Sequence, residues 1–263
     1  MKKFKYEFFK IYAYVFRNYI FAIRNLFSFF DILFWPVVGI VSVGLMSNFL
    51  NLEKILLSFL LTGATASGVL QVIQLEVSYG ILYEVWSKSI KQIFITPTKI
   101  YHYIIGSWIV GIIRGLLVFI LLTFLSYVLF KSYMPKFNVV LIFLSGISLS
   151  ALIIGLVVNF FVMLYGQRVD IIAWSLSVLA MLICGIYYPV DILPEWVQVI
   201  AKLIPLTYFL DYYRNGLGFE KKFEFLLEKG FLLSFFYIVV LFILISLVYK
   251  KAKKSGIILR LSE

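Results

Sequence analysis

Four stretches of this chain run for about twenty residues or more without a charge: 55–75, 137–167, 171–190 and 230–249. Two more are nearly clean. Residues 27–50 hold only Asp31, close to one end, and residues 100–130 hold only His102, near one end, and Arg114. The hydrocarbon core of a bilayer needs about 20 consecutive apolar residues per helix. Six spans are therefore expected. Helices are favoured because a lipid-exposed backbone must satisfy its own hydrogen bonds. Barrel strands would alternate in polarity over segments of ~10 residues, and runs such as Val139–Phe143 and Leu152–Val158 do not alternate. Composition agrees. Apolar residues make up 63% and charged residues 14%, against roughly 45–50% and 25% in soluble domains. The fold class expected is an all-α membrane protein, and a soluble fold is excluded.

The net charge of +11 suggests a nucleic-acid binder only until the charges are placed. With both termini inside, Lys and Arg on the cytoplasmic side outnumber those on the other side about two to one, as the positive-inside rule requires. The basic run Lys250–Lys254 suits a juxtamembrane anchor on an anionic leaflet. The positive charge thus reads as membrane orientation, and no nucleic-acid partner is expected. One His and one Cys, His102 and Cys184, leave no material for a zinc cluster or a disulfide framework, and little for a catalytic triad.

Residues 1–26 lack the compact apolar core and small-residue cleavage site of a signal peptide. Lys3, Lys10, Arg17 and Arg24 recur every seven residues, beside an apolar face of Phe4, Phe8, Ile11, Val15 and Ile23. That pattern predicts an amphipathic interfacial helix.

Three other segments are not simple spans. In the loop 80–98, Leu82, Val85, Trp86, Ile90, Ile93 and Phe94 share one broad apolar face. Glu84 and Lys88 form an i,i+4 pair away from it, and Thr96-Pro97 stops a helix. This predicts a short surface helix, either a force-transmitting contact or a passive anchor. In the segment 189–217, Leu193, Trp196, Val197, Ile200, Leu203 and Ile204 fall on one helical face. Pro194 suits a helix start, Pro205 breaks the run, and 206–217 allows a second short helix. The reading is an outer hairpin, either re-entrant or a cap without a transport role. The turn Gly166–Asp170, which carries Arg168, is either a small partner contact or only a turn.

These segments together resemble the membrane subunit of a type-2 ABC exporter, in its drug-efflux and nodulation branch. The most specific match is the outer hairpin: Pro189-Val190, then Leu193-Pro194-Glu195-Trp196, then Pro205-Leu206-Thr207-Tyr208, with Asp211 and Arg214 following. In the loop, Glu84 and Thr96-Pro97 fit the family pattern. The family's Gly-Thr-Leu-Glu-like step falls on Lys88, Ser89, Ile90 and Lys91, so its Gly and its second acid are both replaced by lysine.

The resemblance implies a single permease domain over 1–263, with an N-terminal interfacial helix, six spans, a cytoplasmic coupling helix and a re-entrant outer helical hairpin. It implies that Glu84, Trp86, Lys88, Lys91 and Arg168 couple to an ATPase. It further implies a multi-pass protein of the cytoplasmic membrane, two ATPase subunits carrying ATP and Mg, and a second permease copy, identical or paralogous. No P-loop sequence occurs in the chain, so no cofactor is expected here and ATP hydrolysis belongs to a partner.

Within the membrane, Arg114 is the residue whose insertion is most costly, at roughly 2.5–3.5 kcal/mol. It faces a charged partner or dimer seam, lines a substrate path, or snorkels. Gly111 and Gly115 around it permit close helix approach. The second span carries Ser58, Thr62, Thr65, Ser67, Gln71 and Gln74. Such a helix faces protein or a cavity, so Thr62, Thr65 and Gln71 form either a translocation wall or a packing seam. Glu76 either gates an entrance or sits among headgroups, and His102 and Cys184 read as structural. A hydrophobic, amphipathic or lipid-like cargo is expected. A permease for lipid-linked polysaccharide, an integral membrane transferase and an ion-coupled carrier are the alternatives. The last usually shows inverted repeats, and none is visible between 27–130 and 137–249.

Overall fold

The structure, a computed structural model, describes residues 2–24, 26–86, 89, 96, 98–166 and 170–255. Among these no strand occurs. The helices are α1 Lys2–Arg24, α2 Leu26–Phe49, α3 Lys54–Trp86, α4 Ile100–Phe130, α5 Phe137–Tyr165, α6 Asp170–Ile183, α7 Glu195–Ala201, α8 Pro205–Gly216 and α9 Leu226–Ser255, with a 3-10 turn at Val190–Ile192. Five of these helices are long and apolar enough to cross a membrane, over Ile32–Phe49, Lys54–Trp86, Ile100–Phe130, Phe137–Tyr165 and Leu226–Lys251.

The run expected as a full span over 171–190 behaves differently. Helix α6 ends at Ile183 after 14 residues, which at 1.5 Å per residue is about 21 Å, short of the ~30 Å hydrocarbon core. Two backbone bonds explain the stop. The Ile186 amide donates to the Met181 carbonyl and the Gly185 amide to the Leu182 carbonyl. Gly185 sits at φ 66°. This is a glycine-terminated helix end, in which only a residue without a side chain takes the left-handed position cheaply.

Helix α3 is the centre of the bundle, packed against α2, α4, α5 and α6. Small residues make the close approaches. A Cβ on Gly115 of α4 would lie 2.5 Å from Ile73, and one on Gly155 of α5 would lie 2.5 Å from Val77. The Gly111 and Gly115 pair thus packs α4 onto α3 within this chain. Buried polar groups tie the same helices together. The Gln74 amide donates to the Ala173 carbonyl (3.0 Å), Asn159 to the Val77 carbonyl (3.0 Å) and the Trp108 indole to the Ser148 carbonyl (2.9 Å).

Helix α1 forms as expected and docks through a mixed face, on which Ile11 and Val15 are half-buried beside several polar side chains. Asn18 donates to Ser107 (3.0 Å), and Arg17 to Tyr103 (2.7 Å) and to Glu84. Tyr101 donates to Glu7 (2.6 Å), and Lys10 pairs with Glu7 at 3.0 Å. Phe8, Phe9, Tyr12, Phe16 and Tyr19 are left exposed. The basic stripe includes two side chains, Lys10 and Arg17, that take part in docking α1 on the bundle.

Candidate functional site

Two pockets open along α3. The first, of about 580 Å³, is lined by Trp35 and Pro36 of α2, Gln71, Glu76, Tyr79 and Tyr83 of α3, Arg114 of α4 and Trp174 of α6, among others. Its charged element is an ion pair in which Arg114 donates to Glu76 at 2.5 Å, both side chains being mostly buried. Arg114 therefore has a partner inside the chain, one of the roles its position predicts. The aromatic wall is fixed by the Trp174 indole, which donates to the Tyr79 hydroxyl at 2.5 Å.

Tyr79, Tyr83 and Trp86 continue down one side of α3. Ring centroids lie 5.6 Å apart for Tyr79 with either neighbour, and 5.5 Å apart for Tyr83 with Trp86. These are favourable aromatic spacings. An aromatic ladder thus runs from the pocket to the end of α3, where Trp86 is exposed. Spacing on α3 signals Tyr79, Tyr83 and Trp86. Trp35 and Trp174 come from other helices and carry no such signal.

The second pocket, of about 590 Å³, holds Ser58, Thr62, Thr65, Thr123, Ser126 and Tyr133, among others. The residues read as a translocation path or seam are therefore divided: Thr62 and Thr65 line this pocket, Gln71 and Arg114 the first.

Glu84 lies on another side of α3 from the ladder. It is only 8% exposed and is gripped by Arg17, by Ser89 and, at 3.3 Å, by Tyr103. Its carboxylate is turned into the junction of α1, α3 and α4. Beside that junction the Glu7 carboxyl is lowered to about 2, by the Tyr101 hydroxyl first and then by Lys10 and His102. Lys88, Lys91 and Arg168 lie outside the described residues.

The segment 189–217 folds as two short helices. Pro194 caps α7 and Pro205 opens α8. Thr207 donates to the Ala201 carbonyl and Tyr208 to the Lys202 carbonyl, both at 2.8 Å, which closes the turn between them. Trp196 projects outward at 70% exposure, whereas Pro189 lies half-buried and Asp211 and Arg214 are buried. Among the described residues no group of three His, Cys, Asp or Glu side chains is placed to hold a metal.

The bundle of apolar helices, the polar junction at one end and the paired short helices at the other find a match in sequence. The family model for ABC-2 type transporters matches residues 10–218, from α1 through α8. The chain belongs to that family. Over 45 residues it is also 40% identical to an uncharacterized protein of Archaeoglobus fulgidus, a stretch that makes up 17% of this chain and 70% of that protein. As an ABC-2 family member it is a multi-pass transmembrane subunit of an ABC transporter. Permeases of this family are generally non-enzymatic and normally work with an ATPase subunit.

Proposed function

We propose that this chain is the permease of an ATP-driven exporter that moves a hydrophobic, amphipathic or lipid-like molecule. The observation that carries the reading is the first pocket: a buried ion pair walled by tryptophan and tyrosine. Aromatic faces suit an apolar or flat body, while Glu76, Arg114 and Gln71 suit one polar group on it.

In this reading two copies pair with two ATPase subunits that hold ATP and Mg. Both termini and the loop 80–98 face the cytoplasm, the segment 189–217 is a re-entrant hairpin on the outer side, and α6 with the residues after it makes the sixth crossing. Closure of the ATPases presses on the loop after Trp86. Helix α3, with 33 residues, is about 50 Å long at 1.5 Å per residue and carries that displacement as a rigid body to the pocket.

The test is reconstitution of the permease with its ATPase in vesicles, scored by uptake of an amphipathic fluorescent dye into inverted vesicles. ATP-dependent uptake that is lost on Trp35→Ala or Trp174→Ala, with the ATPase still bound, supports the reading. Vigorous uptake without any ATPase, or uptake indifferent to both wall variants, overturns it.

A further inference from the structure

A third cavity, of about 690 Å³, lies between α3, the turn after α6, α8 and the chain from Phe219 to Phe223, at the bundle end away from the termini. Arg214 lines it at 5% exposure. Its guanidinium lies over the Phe59 ring, 3.8 Å from the centroid, and one terminal nitrogen donates to the Ile186 carbonyl at 2.7 Å. The Nε–H has no acceptor among the described residues. No carboxylate among them lies within ion-pair distance either.

The nearby acids are committed or peripheral. Asp211 accepts the Lys222 and Phe223 amides at 3.0 and 3.2 Å. Glu220, at the rim, is exposed. Lys222, which lines the cavity together with Asp211 and Glu220, is already paired with Asp191 at 2.7 Å. Burial lowers Arg214 to about 9, which still leaves it charged at neutral pH.

A buried guanidinium with a free donor and no directly bonded carboxylate, with only Asp211 of the same lining acting on it at longer range, is costly unless an anion completes it. Phe59, Phe219 and Phe223 give the same cavity an aromatic lining. We infer that this cavity is a binding site for an amphipathic anion, with a phosphate or carboxylate on Arg214 and an apolar body among the three phenylalanines. The site is separate from the pocket at Glu76 and does not depend on the transport reading.

The test uses the full chain alone, in a non-ionic detergent, with dodecyl phosphate as probe and thermal unfolding as readout. Saturable stabilisation is expected with dodecyl phosphate and not with dodecyltrimethylammonium. Arg214→Gln weakens the apparent affinity at least about tenfold, the scale of a lost charge-assisted hydrogen bond, and Arg214→Lys retains more of it. Val190→Phe, which enlarges another lining side chain and leaves Arg214 unchanged, is expected to weaken binding in parallel. Equal stabilisation of the unaltered protein by the cationic and anionic probes overturns the site, as does undiminished affinity in a folded Arg214→Gln protein. Phenyl phosphate and phosphatidylglycerol separate the sources: binding of the first marks a free organic acid, and retention of the second alone marks a lipid headgroup.

Discussion

At the scale of single residues, some buried charges, though not Arg214, are paired across helices. Arg114 and Glu76 illustrate the consequence. Removing one partner of a mostly buried pair strands the other, at a cost of about 3–5 kcal/mol when burial is complete. Arg114→Leu is therefore expected to lower the melting temperature clearly. The double change Glu76→Gln with Arg114→Leu recovers part of that loss in a thermal scan, since no lone charge remains. A double variant no more stable than Arg114→Leu alone would show that the pair is not the reason. Glu7 supplies a pH signature. Its carboxyl falls from an ordinary 4.5 to about 2, so the docked state binds its proton more weakly than the free helix does. Its contribution is complete above about pH 4.5 and fades as pH falls towards 2. Hydrogen exchange in α1 is expected to rise across that window, and Glu7→Gln to flatten the dependence. Arg114 announced itself in the sequence because a charge in an apolar run demands a partner. That the partner is Glu76, and that Arg17 meets Glu84, depends on how α1, α3 and α4 cross, which one-dimensional spacing does not contain.

At the scale of elements, the long helices were legible because the bilayer imposes length and apolarity together. The short ones were legible where proline marks them, as at Pro194 and Pro205. The end of α6 was not, since an uncharged run gives no sign of where hydrogen bonding stops inside it. Gly185 is the responsible residue. An added Cβ would lie 2.5 Å from the Tyr188 carbonyl oxygen, on a backbone already at φ 66°. Gly185→Ala is expected to cost at least about 1–2 kcal/mol from the left-handed conformation alone, with the collision in addition, and to lower the unfolding midpoint in denaturant. Gly39 is the control. A Cβ added there, in mid-helix, would meet nothing within 4 Å, so Gly39→Ala is expected to stabilise α2 by roughly 0.5–1 kcal/mol. Helix α1 teaches the opposite lesson. Its amphipathic period predicted the element correctly, but period alone does not say whether the polar or the aromatic face meets protein. Glu7, Tyr14, Arg17 and Asn18 find hydroxyl, imidazole and carboxylate partners on α3, α4 and the loop before α4, and the aromatic side is left exposed.

At the scale of the whole molecule, two routes leave the same end of α3. One is the aromatic ladder from the Glu76 pocket to Trp86. The other is the Glu84 node, where Arg17 joins α1 to α3 and Tyr103 joins both to α4. A push delivered beyond Trp86 moves the pocket only if α3 does not slide past its neighbours. The node opposes that sliding, because shifting α3 by even part of a turn would strand a buried carboxylate. If the proposed coupling holds, Arg17 contributes to it although it lines none of the three pockets described above. Arg17→Ala is expected to leave ATPase association and basal hydrolysis near normal in the reconstituted transporter, while dye uptake per ATP hydrolysed falls severalfold. Arg17→Lys, which keeps the charge but not the planar fork, is expected to fall between the two. Uptake and hydrolysis dropping together in strict proportion would mean that the node only holds the fold, and that α1 takes no part in carrying motion to the pocket.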